Sequence, residues 1–219
     1  MPGAPLALFD AVRDGVARSI DEGLHIESTA SATLLPGAVA RNLMRTGFVH
    51  RQLARRFAGE PGAYVQRLRR ACETEVAALL AEGVAPQRLE QAAQAADWAA
   101  IPWPEVRPRS HSSATQPEIE TIVRRLLLAV ALEGVRCFDD GAVESPAEAD
   151  VGSVVGIGFP RWTGWVLSYV ETVGLAAFVA DARRLAARHG ERFAPPHSLS
   201  ERARCGRKFH AALEKETSP

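Results

Sequence analysis

The chain has 219 residues, which is one large or two small domains and enough to bury a sizeable core. Its 26 lysines and arginines balance its 26 aspartates and glutamates, so no global field favours nucleic acid or an anionic membrane; 6% aromatic content with abundant Ala and Leu points to helix over sheet. Cys72, Cys137 and Cys205 form no CxxC, no run approaches 18 apolar residues, and the first ten residues lack a basic stretch, so free thiols in a soluble cytoplasmic protein are expected.

In chain order, the first helix is expected over residues 4–22, with Leu6, Phe9, Val12, Val16 and Ile20 on one side and glycines at 15 and 23 weakening it. A second is expected over 23–34, ending at Leu35-Pro36-Gly37. A third, over 38–58, interleaves Arg41, Arg45, Arg51, Arg55 and Arg56 with Leu43, Met44, Phe48 and Leu53. That arginine cluster reads either as a solvated face or as a surface for an anionic ligand or acidic partner. Gly59-Glu60-Pro61-Gly62 is a break.

The strongest signals lie between Thr115 and Gly164. Thr115 with Glu118 reads as a capping box, with Pro117 in the first turn. Ile119, Ile122, Val123, Leu126, Leu127 and Val130 then form the buried stripe of a long helix. Gly141 is its expected left-handed cap. Ser145, Pro146 and Glu148 start a second helix, which Gly156, Gly158 and Pro160 close.

Residues 62–103 repeat this pattern in degenerate form. Gly83 and Gly141, and likewise Pro102 and Pro160, stand 58 positions apart. Between them recur an acidic residue before the glycine (Glu82, Asp140) and a proline-initiated second helix (Pro86, Pro146). Two related helix pairs in one chain can pack about a pseudo-twofold, each covering the other's apolar stripe. Residues 104–116 are a Pro/Ser-rich linker. Helices are expected at about 163–172 and 174–188, the latter with Leu175, Phe178, Val179 and Leu185 inward and Gly190 as stop. Ser198 with Glu201 is expected to cap a last short helix before Cys205-Gly206.

Few residues suggest chemistry of their own. The six histidines show no HExxH and no i, i+4 pairing, so zinc is not expected, and each reads as a surface or helix-end histidine. Neither a P-loop nor a nucleophile elbow occurs. VVGIGFPRW imitates a dinucleotide fingerprint, but Pro160 and the missing third glycine in a helical context make it a false match. Asp139-Asp140 reads as a solvated turn, with contact to a basic partner as the alternative. Asp150 reads as a structural hydrogen-bonding group, with a ligand contact as the alternative.

Several segments carry a family resemblance. Glu133-Gly134-Val135-Arg136-Cys137, Ser145-Pro146-Ala147-Glu148-Ala149-Asp150, Gly156 to Pro160, and Tyr169, Thr172, Gly174 and Leu175 together resemble the C-terminal helical domain of the 3-hydroxyacyl-CoA dehydrogenase family. The likeness is to the second copy of that domain in the α-subunit of bacterial fatty acid oxidation complexes. It implies an all-α fold of the 6-phosphogluconate dehydrogenase C-terminal type, with two repeats about a pseudo-twofold. The implied division is 1–58 as helices resembling the hydratase tail and linker, 59–103 as a degenerate first repeat, 104–116 as linker and 117–219 as the second repeat.

Within residues 1–58, Phe48 and Arg51 match the family's aromatic and basic residues near the CoA adenine and phosphates. Gln66 stands where the family has an asparagine that helps seat substrate, and Trp165 where it has a glycine. The family's catalytic histidine and glutamate sit on an NAD-binding domain, and no strand here runs into a G-x-G-x-x-G.

The resemblance therefore implies a non-catalytic helical relative serving dimerisation, assembly or acyl-CoA binding. It leaves two alternatives open: part of a split NAD-dependent 3-hydroxyacyl-CoA dehydrogenase, and an acyl-CoA-sensing protein. No cofactor is expected unless a separate domain supplies an NAD site, with CoA or acyl-CoA as conceivable ligands. The implied partners are β-oxidation enzymes such as hydratase and thiolase, or a second copy, with neither nucleic acid nor membrane.

Overall fold

The computed structural model describes residues 4–34, 62–98, 101–104 and 116–210, and every regular element among them is helical. These are α1 (Ala4–Gly15), α2 (Ile20–Leu34), α3 (Ala63–Ala81), α4 (Pro86–Ala95), α5 (Ile119–Asp139), α6 (Pro146–Ile157), α7 (Trp165–Val173), α8 (Leu175–His189) and α9 (His197–Cys205). Single 3₁₀ turns at Arg161–Thr163 and Glu191–Phe193 join the later helices. The expected all-α class is what the protein adopts. Among the described residues no single helix is long and apolar enough to cross a membrane.

The helix expected over 4–22 is broken. α1 ends at Gly15 and α2 restarts at Ile20, behind a capping box the sequence reading missed. The Ser19 amide donates to Glu22 Oε2 at 3.2 Å, and the Glu22 amide to Ser19 Oγ at 3.4 Å. α2 folds back against α1, and no α2 residue is buried.

The core is built from the two helix pairs α3–α4 and α5–α6. Tyr64, Val65, Leu68, Cys72, Val76, Leu79 and Leu80 line one face of α3, and Ile122, Leu126, Leu127, Val130 and Val135 answer from α5. Each buried aliphatic or aromatic side chain contributes about 1.5–3 kcal/mol. α3 packs on α5, α4 on α5 and α3 on α6, so each pair's first helix covers both helices of the other. The turns match as well. Gly83 (φ +90°) and Gly141 (φ +71°) both adopt the left-handed conformation that favours glycine. One residue later, the amides of Val84 and Ala142 donate back to Leu79 and Cys137 carbonyls, again 58 positions apart.

Helix starts divide into those the sequence marked correctly and those it did not. Ser145 caps α6 as expected, its Oγ accepting from the Glu148 amide at 3.1 Å, with Pro146 in the first turn. Thr115 of the expected Thr115–Glu118 box lies outside the described residues, and Glu118 is not in the helix's first turn. α5 begins at Ile119 with Glu118 in the capping position and no side-chain cap. Pro117 disfavours helical backbone at Gln116, whose side chain instead accepts from the Ala85 amide at 2.9 Å and donates to the Gly83 carbonyl at 3.1 Å. Ser198 does not cap α9 either. That helix starts at His197, and the Ser198 hydroxyl donates to the Asp139 carboxylate.

The remaining helices wrap this core. Gly158 (φ +65°) ends α6, and α7 lies against α5 and α6. At Gly174 the chain turns by 99° into α8, which buries Phe178 and Val179 and packs along α9. The expected inward face and the stop at Gly190 are as observed.

Candidate functional site

The polar groups that the fold brings together lie chiefly between the two helix pairs. From α3, the Arg67 guanidinium donates to Glu133 Oε1 at 2.7 Å and to Asp140 Oδ2 at 2.9 Å. From α5, Arg125 donates to Glu75 Oε1 at 2.7 Å and to both Glu82 oxygens at 2.5 and 2.8 Å. Arg67 and Arg125, Glu75 and Glu133, and Glu82 and Asp140 are each 58 positions apart. Each pair thus sends the corresponding arginine to the corresponding carboxylates of the other, the exchange expected of an isologous contact.

The two halves of this network differ in burial. Arg125 and Glu75 have side-chain exposures of 5% and 0%, against 33% and 17% for Arg67 and Glu133. Glu75 also accepts from Arg192 Nε at 2.6 Å, so two guanidiniums share the fully buried carboxylate. The Arg125 hydrogen bonds hold the Glu82 carboxyl below the usual range, against the opposing effect of its burial. His189, at the end of α8, lies 3.4 Å from Glu82. Asp140 is therefore an ion-pair partner inside the molecule, not only a solvated turn residue.

A second cluster joins α6, α7 and the segment after α9. Asp150 is fully buried. Its Oδ1 accepts from the amides of Leu167 at 2.7 Å and Ser168 at 3.3 Å, in the first turn of α7, and Oδ2 accepts from the Ser168 hydroxyl at 2.6 Å. His210 Nε2 lies 3.0 Å from Asp150 Oδ2, and Nδ1 3.4 Å from Glu171 Oε1. Neither ring N–H meets the geometry of a regular hydrogen bond, though both nitrogens lie within ion-pair distance of a carboxylate. Glu171 Oε1 also accepts from the amides of Phe209 and His210, at 2.5 and 2.9 Å.

Burial alone would lower the His210 pKa, but Asp150 and Glu171 outweigh it and raise it from 6.5 to about 9. His210 is thus a half-buried cation between two carboxylates, which corrects the expectation that every histidine is a surface or helix-end residue. For Asp150 the structure supports the structural reading. These groups face one another and backbone amides, so their geometry suits tethering the 206–210 segment.

Of the residues singled out from sequence for ligand binding, Gln66 alone falls within the described residues. Gln66 is exposed in the first turn of α3. Phe48 and Arg51, like the rest of the arginine-rich 38–58 stretch, lie outside the described residues. Trp165 is fully buried with φ +75°, so a left-handed backbone is kept where a bulky side chain fills the space. The described cysteines are all free. Burial pushes the Cys137 thiol up to about 12 and Cys72 further still, so neither is a nucleophile at neutral pH. Among the described residues no group of histidine, cysteine and carboxylate could hold a metal ion. The reciprocal arginines were missed in the sequence, although their spacing equals that of Gly83 and Gly141.

Two further features lie on the surface. Leu8, Phe9, Val12, Val16, Ile20 and Leu24 on α1–α2 are 55–82% exposed. A groove of about 500 Å³ runs between α8 and α9, with Arg183 and Arg204 among its lining residues.

No family model matches the chain. Among curated proteins, the fatty acid oxidation complex subunit alpha of Pseudomonas aeruginosa is 44% identical over 90 residues, 41% of this chain and 12% of that protein. The subunit of the same name from Vibrio vulnificus is 40% identical over 89 residues, 41% of this chain and 13% of that protein. The one from Pseudomonas syringae pv. tomato is 41% identical over 97 residues, 44% and 13% respectively. The chain thus spans 12–13% of the length of these curated relatives, and it is similar to one segment of fatty acid oxidation complex α-subunits.

Proposed function

We propose that the chain is a non-catalytic helical relative of the fatty acid oxidation complex α-subunit whose role is assembly, through self-association or contact with other β-oxidation components. The observation that carries this reading is a contrast. The face between the helix pairs is filled by packed side chains and reciprocal ion pairs, whereas α1–α2 leaves Phe9, Val12 and Val16 standing outside. Exposed apolar patches of that kind mark association surfaces. The buried titratable groups support the same reading: Asp150 accepts from α7 amides, Glu171 from the Phe209 and His210 amides, and both carboxylates face the His210 ring. Similarity to a segment of a named complex subunit supports a setting in fatty acid metabolism.

The test combines light scattering of the chain, alone and mixed with purified β-oxidation hydratase and thiolase, with NADH oxidation on acetoacetyl-CoA and thermal shifts with CoA, acyl-CoA and NADH. Association without NADH oxidation is the expected result. Turnover by the chain alone overturns the reading. A monomer stabilised by NADH without turnover points to a split NAD-dependent 3-hydroxyacyl-CoA dehydrogenase, and one stabilised by acyl-CoA alone to a sensor.

A further inference from the structure

Two surfaces of opposite character are open at the same time. On α1, Leu8, Phe9 and Val12 share one face at i, i+1 and i+4, and Val16 in the turn and Ile20 and Leu24 on α2 are exposed as well. Phe9 is 63% exposed and Ile20 82% exposed. The hairpin around these side chains is acidic: Asp10, Asp14, Asp21, Glu22 and Glu27 against Arg13 and Arg18. Arg13 is already paired with Asp10 and Asp14.

The α8–α9 region is the reverse. From Leu175 to Lys208 it carries eight lysines and arginines against three carboxylates. One of the three, Asp181, is buried between Arg124 and Arg184 and adds little negative potential at the surface. The groove between α8 and α9 has Ala176, Val179 and Ala203 in its lining, with Arg183, Arg204 and the single carboxylate Glu201. Among the described residues Arg183 reaches Ser200 alone, at 3.5 Å, and Arg204 lies 3.8 Å from Glu201, both loose contacts. Small residues between two helices with cations beside them suit an acidic amphipathic helix laid lengthwise.

We propose that the α1–α2 hairpin of one copy docks in the α8–α9 groove of a second copy, its apolar side chains inward and its carboxylates facing Arg183 and Arg204. Opposite charge argues for this occupant, and the simultaneous exposure of both surfaces within one chain argues that the partner is another molecule. The contact is heterologous, so it propagates head to tail unless the rotation closes a ring. The inference rests on the assembly reading and names its partner.

The experiment is light scattering of the full chain over a range of concentrations and salt, with two surface variants whose folding is checked by circular dichroism. One is the hairpin double variant Phe9→Asp/Val12→Asp; the other is the groove double variant Arg183→Glu/Arg204→Glu. The expected result is a wild-type mass that at least doubles with concentration and returns toward monomer at about 0.5 M salt. Each variant alone is expected to be monomeric. A mixture of the two is expected to form a one-to-one heterodimer, because one intact hairpin still meets one intact groove.

Assembly that survives in the groove variant but not in the hairpin variant means that hairpins pair with hairpins, and overturns the proposal. A mixture that stays monomeric overturns it too. Wild-type chain that is monomeric throughout yet co-elutes with hydratase or thiolase overturns this inference and leaves the assembly reading standing. Monomer with no co-elution removes both.

Discussion

Asp150 shows how much one buried side chain can organise. It accepts from two α7 amides and the Ser168 hydroxyl, and it faces the His210 cation. Asp150→Asn keeps one acceptor oxygen but removes the charge opposite a half-buried imidazolium. Breaking such a pair costs about 3–5 kcal/mol, so the urea midpoint at pH 7 is expected to fall accordingly. The histidine makes stability pH-dependent with a definite sign. Its folded pKa of about 9 lies above the unfolded 6.5, so its contribution is complete below about pH 6.5 and is lost as pH rises through about 9. Wild-type melting temperature is therefore expected to fall relative to His210→Gln across that window. Trp165 poses a contest between strain and burial. Glycine there relieves about 1–2 kcal/mol of left-handed backbone strain, but loss of a fully buried indole costs about 3–5 kcal/mol, so Trp165→Gly is expected to destabilise in denaturant titrations.

At the scale of elements, the helices touch where glycines permit it. A Cβ on Gly134 would lie 2.6 Å from Val166 Cγ2, and one on Gly156 2.5 Å from Val65 Cγ2. Gly134→Ala is expected to cost about 1–3 kcal/mol by overpacking α5 against α7. Much of this cost should disappear in a Val166→Ala background, a coupling that a double-mutant cycle reads directly. The reciprocal arginines give a second comparison, because position is matched and burial is not. Arg67→Ala removes a partly exposed pair and is expected to cost about 1 kcal/mol or less. Arg125→Ala takes one of two guanidiniums from the buried Glu75, which keeps Arg192, and is expected to cost about 1.5–3 kcal/mol by urea unfolding, more than Arg67→Ala.

Over the whole molecule, the buried core and the exposed apolar side chains of the first two helices lie in different regions. The packed core and both ion clusters lie within residues 62–210, whereas α1–α2 contributes no buried residue from α2 and exposed apolar side chains from both helices. Phe9→Asp is therefore expected to leave the melting temperature of the core within the scatter of surface substitutions, about 0.5 kcal/mol, while changing only the mass seen in solution. Much of this organisation was legible beforehand. The paired glycines, the Ser145-Pro146 start and the stripe of α5 announced two related helix pairs, because turn chemistry and helical periodicity are local. The break after Gly15 was missed because a continuous apolar stripe outweighed the Ser19–Glu22 box.

What the sequence alone determined is the class of fold and the residues of most helices, since amphipathic spacing, proline starts and glycine stops act within a few residues of where they stand. What only the tertiary structure decided is where the charges go. Whether Arg125 meets Glu75, whether Asp140 turns to Arg67 or to water, and whether His210 lies between Asp150 and Glu171 all depend on partners 39 to 73 positions away in the chain. Burial then sets the strength of each pair, because desolvation is a property of the assembled helices and of no single segment.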